Sequence, residues 1–162
     1  MKGFLALLVI FACSVPRALA QGDKAPDFNL KLSVKGFQVG ELHIGCKAGA
    51  TADYDKGQDI YVPPAAIQGG TVGLILENNP LPLYQDIRPA EFPQTWRIRC
   101  KTRGLASVSW DKELLPEGVV FSIRKDNGTV YNMGKTDSIK IYKDTELFIT
   151  ANKQSESKEE QK

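Results

Sequence analysis

The sequence predicts an all-β fold: a two-sheet antiparallel β-sandwich, immunoglobulin-like, of about eight or nine strands. Three observations predict it. Short apolar stretches alternate with polar residues at period two. Turn residues separate those stretches at the spacing of a sandwich. No long pattern of helical period occurs in the 162 residues. One apolar face per strand then calls for a second sheet to cover it.

The strands follow in order. Phe28, Leu30, Leu32 and Val34 alternate with Asn29, Lys31 and Ser33, and Leu42, Ile44 and Cys46 alternate with His43 and Gly45. Val72, Leu74 and Leu76 share one parity, although Ile75 breaks the polar face. Trp96, Ile98 and Cys100 alternate with Arg97 and Arg99; Val108 and Trp110 alternate with Ser107 and Ser109. Val119, Phe121 and Ile123 follow a Pro116-Glu117-Gly118 turn. Asn127-Gly128 sits between FSIRK and TVYNM, and that dipeptide tolerates positive φ at both central positions of a type I′ hairpin turn. Residues 139–141 and 147–149 read as a closing strand pair.

The flanks differ in composition. Residues 1–20, MKGFLALLVIFACSVPRALA, have the basic n-region, short apolar run and Ala18-Leu19-Ala20 site of a signal peptide cleaved after Ala20. The apolar run is too short to span a bilayer, and no other segment is long and apolar enough to do so. Residues 27–151 form the predicted domain. Residues 152–162, NKQSESKEEQK, contain no apolar side chain and are expected to be a disordered polar tail. The chain carries 21 basic and 19 acidic residues. Lys2 and Arg17 leave with the signal peptide, so the mature chain has no net charge and no bulk attraction for nucleic acid or anionic lipid.

Residues 45–64, GCKAGATADYDKGQDIYVPP, are the densest stretch of special residues. Asp53, Asp55 and Asp59 fall in one short loop with Gly57, and Pro63-Pro64 closes it. Two readings stand. The aspartates make Asx turns and hold the loop backbone, or they converge on a calcium ion, which takes roughly six to eight oxygen ligands. An EF-hand template fails, because its glycine falls on Gln58 and its bidentate glutamate on Pro64. Tyr54 and Tyr61 lie near the aspartates as candidate binding residues, for instance for a carbohydrate.

Cys13 leaves with the signal peptide, and Cys46 and Cys100 remain. Each ends a strand with its side chain on the inward parity. An oxidising compartment favours a disulfide between them, worth about 4 kcal/mol in the chain-entropy model; two buried free thiols are the alternative. His43 is the one histidine and lies on the outward parity of its strand, away from both cysteines. Trp96 and Trp110 fall on inward parities and read as core. Arg97, Arg99 and Lys101 make an outward basic stripe. The Asn127-Gly128-Thr129 sequon is explained by the hairpin turn. No phosphate loop, nucleophile elbow or catalytic carboxylate frame occurs in the sequence.

Several pieces in order, LHIGCKAGATADYDKGQDIYVPP, LYQDIRP, TWRIRC, SVSWDKELLPEGVVFSI and a hairpin-like end through LFITA, resemble a β-sandwich domain family of unknown function from exported and surface proteins of bacteria. The resemblance spans residues 42–151. It implies exposure and architecture rather than chemistry. The expected function is therefore that of an exported, non-enzymatic structural or interaction module, periplasmic, cell-surface or extracellular. Its expected partner is an envelope or extracellular protein or polysaccharide, with no nucleic acid and no membrane span after signal cleavage. Two other readings are a calcium-dependent or carbohydrate-binding module and an enzyme whose site leaves no recognisable motif. No cofactor is expected beyond the calcium alternative.

Overall fold

Period-two alternation builds the strands of this protein and decides which side of each is buried. The structure, a computed structural model, describes residues 24–64 and 69–155. The predicted signal peptide and residues 156–162 of the predicted tail lie outside the described residues. Among those described are eleven strands: β1 Phe28–Lys35, β2 Glu41–Lys47, β3 Ile60–Tyr61, β4 Thr71–Leu74, β5 Leu83–Pro89, β6 Gln94–Lys101, β7 Ala106–Trp110, β8 Val119–Lys125, β9 Val130–Asn132, β10 Ser138–Ile141 and β11 Thr145–Lys153. A 3₁₀ turn, Lys112–Leu114, is capped by the Asp111 carboxylate, which accepts from the Glu113 N–H at 3.0 Å.

The strands form one mixed sheet in the order β10-β7-β1-β2-β5-β4-β6-β11-β8-β9, with β3 attached to β5. The β2–β5 pairing is parallel and the others are antiparallel. The sheet curls into a half-barrel. Its concave side collects Leu30, Leu32, Leu42, Ile44, Trp96, Ile98, Phe121, Ile123, Leu147 and Ile149, each no more than 2% exposed. The two arms meet where Phe28 of β1 sets its ring edge-on to Trp96 at 6.1 Å and to Phe121 at 5.5 Å. Trp96 and Trp110 satisfy their indole N–H groups on the main-chain oxygens of Asp86 and Met133, at 3.2 and 2.8 Å.

Five features differ from expectation. Strands β3 and β5 are additional, and β5 is what makes the sheet continuous. It runs parallel to β2 from His43↔Gln85 to Lys47↔Pro89 and touches β4 at Leu74↔Leu83, so one hydrogen-bonded path replaces two separate sheets. Its sequence, LYQDIRP, conceals the strand because Asp86 is buried and the register shifts opposite Ile60 and Tyr61. Residues 139–141 and 147–149 do not pair with each other: β10 pairs with β7, and β11 lies between β6 and β8. Residues 142–144 instead carry the chain from one arm to the other.

The Asn-Gly hairpin is present between β8 and β9, with a different turn. Only Gly128 has positive φ, at +87°. The Gly128 N–H donates to the Lys125 oxygen at 3.0 Å and Lys125 N–H to the Thr129 oxygen at 2.9 Å. That is a three-residue loop ending in a glycine bulge, not a type I′ turn.

The domain also extends past its predicted limits. Ala25 is buried and donates to the Ala90 oxygen at 2.9 Å. Strand β11 continues through Asn152↔Val120 and Lys153↔Val119. Once Ile149 and Ala151 fix the register, the backbone ladder needs no further apolar side chain.

The bridge expected between Cys46 and Cys100 is not formed. Both are free, buried thiols, on β2 and β6 with β5 and β4 between them in the sheet. Strand parity places a side chain on a face, but it does not set the distance to another inward residue. Burial pushes each thiol up to about 12, so both remain protonated and act as small core residues.

Candidate functional site

The loop after β2 holds itself in place. The chain turns at Gly49, which has φ of +83°, and again at Gly57 at +92°. Between them Asp55 works locally. Its carboxylate accepts from the Thr51 N–H at 2.5 Å and the Thr51 hydroxyl at 3.0 Å, while its main-chain oxygen accepts from the Gln58 and Asp59 N–H groups at 3.0 and 2.9 Å.

Asp59 ties this knot to the sheet. It is 3% exposed. One carboxylate oxygen accepts from the Asp55 N–H at 2.7 Å and the other from the Ile87 N–H of β5 at 2.8 Å. Burial holds its carboxyl above the ordinary range, with Asp55's charge adding to that, while these two N–H donors and Arg88 act against it.

The three loop aspartates thus separate in role. Asp55 and Asp59 turn their oxygens onto backbone donors, and Asp53 stands apart from them on the surface. Among the described residues no three His, Cys, Asp or Glu side chains gather into a set that could hold a metal ion. The carboxylates of Asp55 and Asp59 thus hold the loop backbone, while the Asp53 carboxylate takes no part in that knot.

The scaffold presents an aromatic pair. Tyr54 and Tyr61 stack with ring centroids 4.7 Å apart and planes 16° from parallel. Both are about one-third exposed, at 36% and 37%. Asn79 braces them: its Nδ2 donates to the Tyr61 hydroxyl at 3.2 Å, and its Oδ1 accepts from the Leu81 N–H at 3.1 Å. Together with Asp53, Leu76 and Asn78 they line an open groove of about 480 Å³. The predicted binding tyrosines therefore do meet. The groove's other wall, the turn at residues 76–79, was not among the predicted site residues, although Asn78-Asn79-Pro80 is a visible turn signal.

His43 lies on the convex face as expected, but it is partly covered by a polar network. Its Nδ1 sits 3.1 Å from Asn29 Oδ1 and its Nε2 3.3 Å from Glu41 Oε1, and Tyr84 donates its hydroxyl to the same Glu41 oxygen at 2.6 Å. Those contacts hold the Glu41 carboxyl below its ordinary range, Tyr84 first and His43 next. Burial and then Glu41 push the Tyr84 phenol up to about 12. Neither cysteine enters this network. A second polar pair faces inward: Arg88 donates to Asp86 from Nε at 3.1 Å and Nη2 at 3.0 Å, and its guanidinium lies 5.8 Å from the Trp96 ring centroid. Glu146 answers the basic stripe, taking Arg97 through both carboxylate oxygens and Arg99 through one.

The chain matches no family model, no curated protein and no solved structure.

Proposed function

We propose that this protein is an exported, non-enzymatic interaction module of the cell envelope or extracellular space, and that it contacts its partner through the tyrosine groove. One observation carries this reading. Two exposed tyrosines are stacked on a loop whose shape is fixed by its own carboxylates. Tyrosine supplies a large, amphipathic contact area at a low cost in conformational entropy, and a stacked pair has already lost part of its freedom before binding. Export rests on the leader-like residues 1–20, and the family resemblance of residues 42–151 to bacterial surface domains belongs to the same proposal. We read the two arms of the sheet as the layers of an immunoglobulin-like sandwich; the contact of Phe28 with Trp96 and Phe121 supports that reading.

The test is retention on washed envelope material from the native source. The Tyr54→Ser/Tyr61→Ser double variant is expected to lose at least about tenfold in retention, the range of a central interface anchor, while still unfolding in one cooperative transition. Retention equal to that of the parent protein would remove the groove from the contact surface.

A further inference from the structure

We infer that the tyrosine groove takes a neutral saccharide, bound through the face of a pyranose ring and without calcium; this rests on the reading of the groove as the contact surface. The groove combines two chemistries that a sugar ring needs together. The aromatic faces of Tyr54 and Tyr61 carry negative quadrupole density, which suits the array of C–H groups on one face of a pyranose. Around them the Asp53 carboxylate, the Asn78 side-chain amide and the Tyr54 hydroxyl belong to exposed residues that line the groove. The carboxylate accepts only, while the amide and the hydroxyl both donate and accept. A sugar hydroxyl does both, so vicinal hydroxyls can donate to Asp53 while accepting from Asn78.

The size and charge of the groove narrow the class. About 480 Å³ falls in the range of small-ligand sites. Among the described residues no lysine or arginine lines it, and Asp53 places a negative charge at its rim, which works against a uronic or sulfated sugar. Calcium is not needed, because Asp55 and Asp59 already direct their oxygens to backbone N–H groups. Asn79 is held by the Tyr61 hydroxyl and the Leu81 N–H, and through the first of these it helps fix the Tyr61 ring.

The experiment titrates the full chain calorimetrically with neutral tetrasaccharides of glucose, galactose, mannose and N-acetylglucosamine, and with a galacturonate tetramer. In parallel, native envelope material is split into a deproteinised polysaccharide fraction and a protein fraction for retention assays. Binding of at least one neutral oligomer is expected, unchanged by EDTA, weaker by at least tenfold for Tyr54→Ser/Tyr61→Ser, and absent or several-fold weaker for the galacturonate. Asp53→Asn, which keeps the fold and one acceptor, is expected to narrow the gap between neutral and acidic oligomers. Tyrosine-dependent retention by the protein fraction alone would overturn the saccharide while leaving the contact surface standing. Binding that survives the double substitution, or no retention by either fraction, would overturn both. Loss of oligosaccharide binding in EDTA, or preference for the galacturonate, would overturn the stated class.

Discussion

Replacing Asp59 by alanine should detach the loop from the sheet, and the size of the effect follows from its two bonds. The carboxylate accepts from Ile87 N–H at 2.8 Å and from Asp55 N–H at 2.7 Å. A hydrogen bond to a charged acceptor contributes about 1.5–3 kcal/mol, and a buried donor left alone carries its desolvation cost. Against this, an ionised carboxylate at 3% exposure is itself unfavourable, as its raised pKa records. The balance is a loss of about 3 kcal/mol, a large share of the stability of a domain this size. The raised pKa also fixes a sign. A carboxyl held above its unfolded value of 3.8 contributes most below that pH, and the contribution declines as pH rises through the folded value. The gap between parent and Asp59→Ala should therefore be wider at pH 3.5 than at pH 7. Urea unfolding at the two pH values measures it, and amide hydrogen exchange at Asp55 and Ile87 localises it. A loss below about 1 kcal/mol with unchanged exchange at both amides would refute the anchoring role.

Three further predictions concern the sheet. Cys46 and Cys100 should resist iodoacetamide in the folded protein and be alkylated after unfolding without reductant, as mapped by peptide mass spectrometry; a disulfide-linked pair of peptides would contradict two free core thiols. Burial raises the Glu146 carboxyl, but the hydrogen bonds and charges of Arg97 and then Arg99 outweigh it and hold the group below 4.5; its contribution is complete above that pH and lost as pH falls through the folded value. Glu146→Gln should therefore cost about 1 kcal/mol near neutrality and flatten the decline in urea midpoint below pH 4.5, and an identical decline in the variant would count against this. Gly45→Ala should destabilise by about 1–3 kcal/mol, because the new Cβ would meet the Phe28 main-chain oxygen and lie 2.8 Å from Ile87 Cδ1; an unchanged melting temperature would mean that β1 and β5 give way freely.

The sequence was readable wherever one physical rule decided the outcome. Period-two alternation marks β1, β2, β6, β7, β8, β10 and β11 because each has one face on the core, and Trp96 and Trp110 follow from the same parity. It misses β5 because an inward Asp86, neutralised by Arg88 two residues later, looks polar until its partner is known. Asn127-Gly128 announces a hairpin but not its turn, since Asp126 adds a third loop residue. The Asp126 carboxylate is drawn instead to Thr145, whose hydroxyl donates to it at 2.8 Å. Parity could place Cys46 and Cys100 inside, but not beside each other. The acidic loop was legible as a built structure, yet which aspartates faced the backbone depended on Ile87, a residue far along the chain. The stacking of Tyr54 on Tyr61 could not be read from their spacing, because it depends on the Asp55–Asp59 knot between them.

The most direct test is the pattern of backbone amide shifts in ¹H–¹⁵N spectra of the full chain titrated with the tightest-binding neutral tetrasaccharide. The prediction is that perturbations concentrate at residues 53–61 and 76–79, grow in parallel, and vanish in Tyr54→Ser/Tyr61→Ser. Perturbations centred on the Arg97–Arg99–Lys101 stripe or on the His43–Glu41–Tyr84 network, with the tyrosine loop unmoved, would contradict it.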